Sequence, residues 1–222
     1  MTSHPISTSI LTKVDGSSQL TVGGTKVVVS VTGPIEPKLR QELPTQSSFE
    51  IIIRPAVGVS STREKLMEDK LLSLLQNVIA RFQNPRQLIQ IVIQFLITEP
   101  IPNHYTNSQL SAAANACYYA LIDANVPLLC SFAAVPIAIY KNEIIANPAP
   151  QVITESESTH VVCYGIHDAK ADSLLLVESQ GSFTSEQLFK VLDIAQKECE
   201  SIHQDQRTYL QQKVSQDFIW KQ

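Results

Sequence analysis

The cationic side chains of the first third of the chain come close together in sequence. Lys38 and Arg40 sit in one polar stretch, and Arg54, Arg63 and Lys65 follow. Arginine presents a planar fork that grips a phosphate in two bonds, and lysine acts as a point charge, so such a group suits an RNA backbone or a phosphate ion. The ordinary reading of the same residues is solvent-facing charge or ion pairs to a neighbour. Acids that could place a metal or move a proton are Glu155 and Glu157, in a polar loop where carboxylates are usually just solvated. His104, His160 and His167 have no partner at metal-ligand spacing, and His167–Asp168 reads as a hairpin turn. No G-x-S-x-G, G-x-G-x-x-G or G-x-x-x-x-G-K-[ST] occurs, which removes the serine-hydrolase, dinucleotide and P-loop readings. Cys117, Cys130, Cys163 and Cys199 form no CxxC and three of them lie in apolar or helical runs, so they read as buried free thiols in a reducing compartment.

Composition narrows the partners. Of 222 residues, 44% are hydrophobic and 17% charged, which is ordinary for a folded chain with a substantial core. The net charge of -4 gives no bulk reason to expect nucleic-acid binding; any such contact must use a local patch. The opening MTSHPISTSI has neither a basic start nor an apolar run, so no signal peptide is expected. No stretch reaches the roughly 18 apolar residues of a membrane helix.

The elements that must position these residues read as follows. Gln19–Val22 and Thr25–Thr32 form a hairpin around Gly23–Gly24, stopped by Gly33–Pro34. An exposed connection, Glu36–Gln46, leads to a third strand ending at Pro55. A helix spans 57–82, with Ser61 and Glu64 at capping-box spacing and Asn84–Pro85 beyond its end. Residues 86–97 are a two-sided strand, mostly buried. After a loop, an alanine-rich helix covers 108–126; its small side chains predict a central helix lying close on a sheet. Leu128–Tyr140 is one or two strands, and Pro136 inside it predicts a sheet edge or a bulge. A polar, proline-bearing loop follows, then strands over 159–166 and 173–180. The last helix opens at a second capping box, Thr184 and Gln187, and its pattern allows it to run on towards the C-terminus. The order points to an α+β layered domain with two repeats of a split βαβ type.

Five segments in order, VDGSS, TKVVVSVTGPIEPK, TREKLMEDKL, NACYYALIDANVPL and GSFTSEQLF, together resemble the RNase PH family, in its branch of eukaryotic RNA exosome ring subunits. The resemblance covers about residues 10–212 and implies a single domain over 1–222. The implied fold is that of RNase PH, two βαβα-like halves in one compact body (ribosomal protein S5 domain 2-like). It implies a six-membered ring of heterodimers of RNase PH-like subunits, RNA-binding cap subunits, RNA in a central channel, an associated hydrolytic exoribonuclease and no membrane. Residence in nucleus, nucleolus and cytoplasm is implied in the same way.

Active members of that family attack an RNA 3′ end with phosphate. The resemblance sets Ser108, Gln109 and Leu110 on the phosphate loop at the start of the second helix, with Leu110 at the arginine position. Arg63 matches the first of two helix arginines, and the second falls near Asp69. The acidic positions fall on Asn147 and Gln151. The expectation is therefore a ring subunit without catalytic residues, metal or cofactor, which supports 3′-to-5′ RNA processing and touches RNA through Arg63, Lys65, Arg54, Lys38 and Arg40. The alternative is an active, phosphate-dependent 3′-to-5′ exoribonuclease with magnesium. A stand-alone nucleic-acid-binding dimer is weakened by the net charge. Phe49, Tyr118, Tyr119, Phe132 and Tyr140 are the aromatic candidates for core or partner contacts.

Overall fold

A computed structural model describes residues 5–99 and 106–217. The chain runs β1 (Ile6–Thr8), β2 (Gly16–Val22), β3 (Thr25–Ile35), β4 (Ser48–Arg54), α1 (Thr62–Val78), β5 (Leu88–Ile97), α2 (Asn107–Asp123), β6 (Ser131–Tyr140), β7 (Glu143–Ala146), α3 (Pro150–Glu155), β8 (Ser158–His167), β9 (Lys170–Gly181) and α4 (Ser185–Asp217). The first sheet has order β1-β2-β3-β5-β4, antiparallel except for β4 and β5; the second is antiparallel with order β7-β6-β8-β9. The parallel pair is joined through α1, a βαβ unit, as a parallel connection requires. This is the α+β layered architecture expected from the sequence.

Helix α2 lies between the two sheets, touching β2 and β3 on one side and β6 and β8 on the other. Its alanines are what allow this: a helix covered on all sides can carry few bulky side chains if both sheets are to close on it. Gly16 at the start of β2 has no room for a Cβ, because Ala120 and Ala124 at the end of α2 occupy that space. The central position predicted for the alanine-rich helix is correct.

Strand β6 divides the molecule into two cores by its period of two. Phe132 and Ala134 face α2 and the first sheet, while Ala133, Val135, Ile137 and Ile139 face Val191, Ala195 and Cys199 of α4. The layers are therefore sheet, α1 with α2, sheet, α4. Lys70 of α1 reaches across to Glu178 of β9 at 2.9 Å and ties the two halves.

Pro136 does not mark an edge strand. β6 has neighbours on both sides, but β7 pairs only with Ile137–Tyr140, so the groups of Phe132, Ala134 and Pro136 on that side meet no strand. Other partners replace it. Asn115 of α2 donates to the Ala134 carbonyl at 2.8 Å and accepts from the Ala134 amide at 2.9 Å. Gln206 of α4 donates to the Phe132 carbonyl at 3.3 Å, and the Asn147 amide donates to the Pro136 carbonyl at 2.9 Å. A missing N–H is harmless where no strand was to receive it.

Several expectations need correction. The helix begins at Thr62, with Ser61 as its N-cap and a complete capping box to Glu64. Strand β5 buries one face, Ile89, Ile91, Ile93 and Phe95, but leaves Gln90, Val92 and Gln94 half-exposed. The polar excursion after Tyr140 contains β7 and α3, and β1 precedes the opening hairpin; both strands are too short to show a period. The second capping box forms as read, with Thr184 and Gln187 bonded reciprocally, and α4 does run on, to Asp217. All four cysteines are free; three are buried and Cys130 is half-buried. Among the described residues no helix is long and apolar enough to cross a membrane.

The far end of α4 is pinned at Asp123. Its carboxylate accepts from the Ser9 amide at 3.1 Å, the Ser9 hydroxyl at 2.6 Å, the Ser17 amide at 2.9 Å and the Lys213 ammonium. Burial alone would raise its pKa, but these bonds outweigh it and hold the group below its ordinary value.

Asn115→Ala is expected to cost roughly 3 kcal/mol, because two backbone groups of Ala134 lose their partner inside the core. For a chain of this size that is a fall of about 9 °C in Tm. Thermal unfolding checks it; a fall under about 2 °C would mean that β6 does not need this bridge.

Candidate functional site

The first turn of α2 is where the sequence put the chemistry. Its N-cap, Thr106, makes no side-chain cap, so the opening amides are left without that partner. Asn107 donates through Nδ2 to Thr159 Oγ1 at 3.0 Å, and its Oδ1 is buried without a partner among the described residues. Leu110 is fully buried in the core between the sheets. Leu110 thus points into packed hydrocarbon, where it meets no anion.

Arg63 comes to this turn from the start of α1. Its guanidinium donates to Gln109 Oε1 and lies 4.0 Å from Glu64, with 26% of the side chain exposed. Its Nε is buried and unpartnered. Asp69 is exposed, and the residue two turns on that shares the face of Arg63 is Lys70, already paired with Glu178. The charge reversal expected at Asp69 is therefore on the outside of the helix.

Opposite α2, strand β8 brings a group that the sequence reading did not assemble. His160 is fully buried; its Nε2 lies 3.0 Å from Ser158 Oγ and its Nδ1 2.8 Å from Ser179 Oγ of β9. Phe183 meets the ring edge-on at 4.9 Å between centroids. Burial lowers the His160 pKa, so the ring is held neutral between two hydroxyls that can each donate or accept. The signal was present in S-T-H, since alternation puts Ser158 and His160 on one face of a strand. Ser179 is nineteen residues away and only strand pairing brings it there.

The space between Asn107, Ser108, Pro148, Ile153, Thr159 and His160 is only about 10 Å³. That is about one water molecule and far too small for phosphate with a nucleotide. Pro148 and Ile153, from the loop that carries the expected acidic positions, fill it. Asn147 and Gln151 themselves are exposed. Glu155 accepts from Tyr140 Oη at 3.0 Å, and Glu157 is exposed. Among the described residues no three His, Cys, Asp or Glu converge as metal ligands; His104 lies outside the described residues.

The cations fall into two groups. Arg54 and Lys65 are exposed near Arg63, with Lys65 2.5 Å from Glu68. Lys38 and Arg40 are exposed beside the beginning of β4, where Gln41 bonds Glu50 at 3.3 Å. The seven residues of β4, at about 3.3 Å each, separate the two groups. The cations that lie close in sequence therefore stand in two separate groups.

The aromatic candidates are now sorted. Tyr118, Tyr119 and Phe132 are core, Phe49 lies under Arg81 at 5.3 Å, and Tyr140 lies under Lys141 at 4.7 Å. Among the described residues the exposed aromatics are instead Phe82, Phe183 and Phe189.

Residues 4–127 match the model of RNase PH, the 3′ exoribonuclease family, domain 1, which is more than half the chain. The chain belongs to the RNase PH family. It is 42% identical over 210 residues to the Saccharomyces cerevisiae protein named exosome complex component RRP46, covering 93% of this chain and 94% of that one. It is 31% identical over 207 residues to the Schizosaccharomyces pombe protein of that name, covering 90% of this chain and 86% of that one. The crystal structure of rice (Oryza sativa) Rrp46 superposes with a TM-score of 0.75 at 22% identity, over 87% of this chain and 90% of that chain, and supports the fold. In this RNase PH chain Ser108–Leu110 lies in the first turn of α2, with Gln109 and Leu110 buried.

Because the folded protein holds His160 below its ordinary value of 6.5, the unfolded chain takes up a proton first as pH falls. The contribution of His160 to stability is complete above that value and is lost on acidification through it, at no more than about 1.4 kcal/mol per pH unit. Urea unfolding at pH 7 and pH 5 is expected to show a smaller loss for His160→Asn than for the unaltered chain. Equal losses would mean that His160 titrates freely.

Proposed function

We propose that this chain is a non-catalytic ring subunit of an RNA exosome. The observation that carries this reading is Leu110, fully buried where an RNase PH-type enzyme presents an arginine to phosphate. Its neighbour Arg63 is engaged by Gln109, and the adjoining space holds no more than about a water molecule. The names of the yeast relatives, exosome complex components, support the assembly.

In this reading the chain pairs with a larger RNase PH-like subunit inside a six-membered ring, under RNA-binding caps. Cleavage is left to an associated hydrolytic exoribonuclease. The chain needs no cofactor and works where exosomes work, in nucleus, nucleolus and cytoplasm. RNA passing the ring is met by Arg54 and Lys65 on one side and Lys38 and Arg40 on the other, with Arg63 a lesser contact because its fork is already used. Leu39, Val57 and Val59 are each about nine-tenths exposed, and they supply apolar area for ring neighbours. The free edge of β4 is partly blocked at Ile53, whose amide donates to Glu68 at 2.8 Å and whose carbonyl accepts from Ser60 at 2.7 Å, so it is a poor partner for strand addition.

The test is phosphorolysis by this chain co-expressed with an RNase PH-like partner, given single-stranded RNA, phosphate and magnesium. A stable heterodimer with no nucleoside diphosphate release is expected. Release that vanishes in a Glu155→Gln, Glu157→Gln variant would restore the enzyme reading. Leu110→Arg should not create activity; it buries a charge and should destabilise the chain by about 3 kcal/mol or more, seen as a lower Tm.

A further inference from the structure

A second cavity, of about 630 Å³, lies away from the α2 start, between the β1–β2 edge of the first sheet and helix α4. Leu20, Val22 and Ile202 give it apolar walls, and Tyr119 of α2 stands at its base. Two carboxylates enter it, Glu198 and Asp205, seven residues apart on one face of α4 and so about 10 Å apart along the helix. Neither forms an ion pair among the described residues, and the cavity is lined by no Lys or Arg.

Tyr119 adds an independent indication. The residue is 3% exposed, its ring is fixed edge-on to Tyr118 at 5.7 Å and to Tyr209 at 5.6 Å, and its hydroxyl has no hydrogen-bond partner among the described residues. Tyr209, by contrast, is bonded to Thr8 at 3.1 Å. The ring is buried while the hydroxyl opens into the cavity, where only solvent or a bound group can meet it. The Asp205 charge is close enough to act on that hydroxyl, which burial first of all pushes above its ordinary range.

We infer that this cleft binds an extended basic segment of a partner protein, with arginine or lysine side chains set against Glu198 and Asp205. The carboxylates select cations, and the apolar walls cover the aliphatic stems that such side chains carry. The Tyr119 hydroxyl accepts from an incoming ammonium or guanidinium. Two basic residues at alternate positions of an extended chain stand about 7 Å apart, and their long stems span the remaining distance to the two acids. RNA is disfavoured at this place, since a phosphate backbone would meet two negative charges and no cation. A small free polyamine would use the acids but leave the apolar walls uncovered.

The probe is a fluorescein-labelled ten-residue peptide of alternating arginine and leucine, followed by anisotropy with the purified full chain. Binding is expected at low salt, weakening as salt rises. Glu198→Gln with Asp205→Asn should weaken it about tenfold or more, and Tyr119→Phe severalfold, with thermal unfolding confirming that each variant folds. The same peptide with glutamate for arginine should not bind. Three results would overturn the inference: no binding up to millimolar peptide, equal binding by the double carboxylate variant, or displacement by spermidine as effective as by unlabelled peptide. The last would mean a site for free cations. No other ring subunit is needed, so failure here leaves the ring proposal untouched.

Discussion

Two sheets close on one helix, and that closeness constrains the rest of the structure. Helix α2 is buried from Asn107 to Leu121 apart from Ser108, with sheet on both sides, so its side chains must be small where the sheets approach and polar only where a specific partner waits. Asn115 shows the second condition. It sits in the middle of an apolar helix because Ala134 needs both its amide oxygen and its amide nitrogen. β6, in turn, sends Phe132 and Ala134 towards α2 and Ala133, Val135, Ile137 and Ile139 towards α4, and its alternation follows from being shared by two cores.

The same constraint governs the α2 start. An active phosphate site needs a charged fork and open space at a helix N-terminus. Here the fourth helical residue is drawn into the core as Leu110, and the small neighbouring space is lined from the other side by Pro148 and Ile153. What remains is a polar seam, Asn107 to Thr159 and Ser158 to His160 to Ser179, which joins α2, β8 and β9. Such a seam fixes register between elements. Cys117 and Cys199, each pushed up to about 12 by burial, are protonated thiols and add packing rather than nucleophiles.

The surface is organised by edges. β4 is blocked at Ile53, β1 is three residues long, and β7 is four. Among the described residues β9, twelve residues long, is the longest edge strand, and Glu178 on it is held by Lys70. Exposed apolar side chains gather in connections instead, at Leu39, Val57 and Val59. A subunit that must meet specific neighbours can use such tips without inviting indiscriminate strand pairing.

Much of this was written in the sequence. Ser61 with Glu64 and Thr184 with Gln187 announced two helix starts, because a capping box is satisfied within four residues. The alanines of α2 announced its central place. The tertiary structure alone decided where Pro136 could be tolerated, because that depends on where β7 stops. It also decided that Lys38 and Arg40 stand apart from Arg54, that Lys70 rather than Asp69 faces inward, and that Ser179 meets His160. These are pairings between residues distant in the chain or on opposite sides of an element. Local propensity does not encode them; they arise only when strands take their register and helices are rotated by the cores they bury.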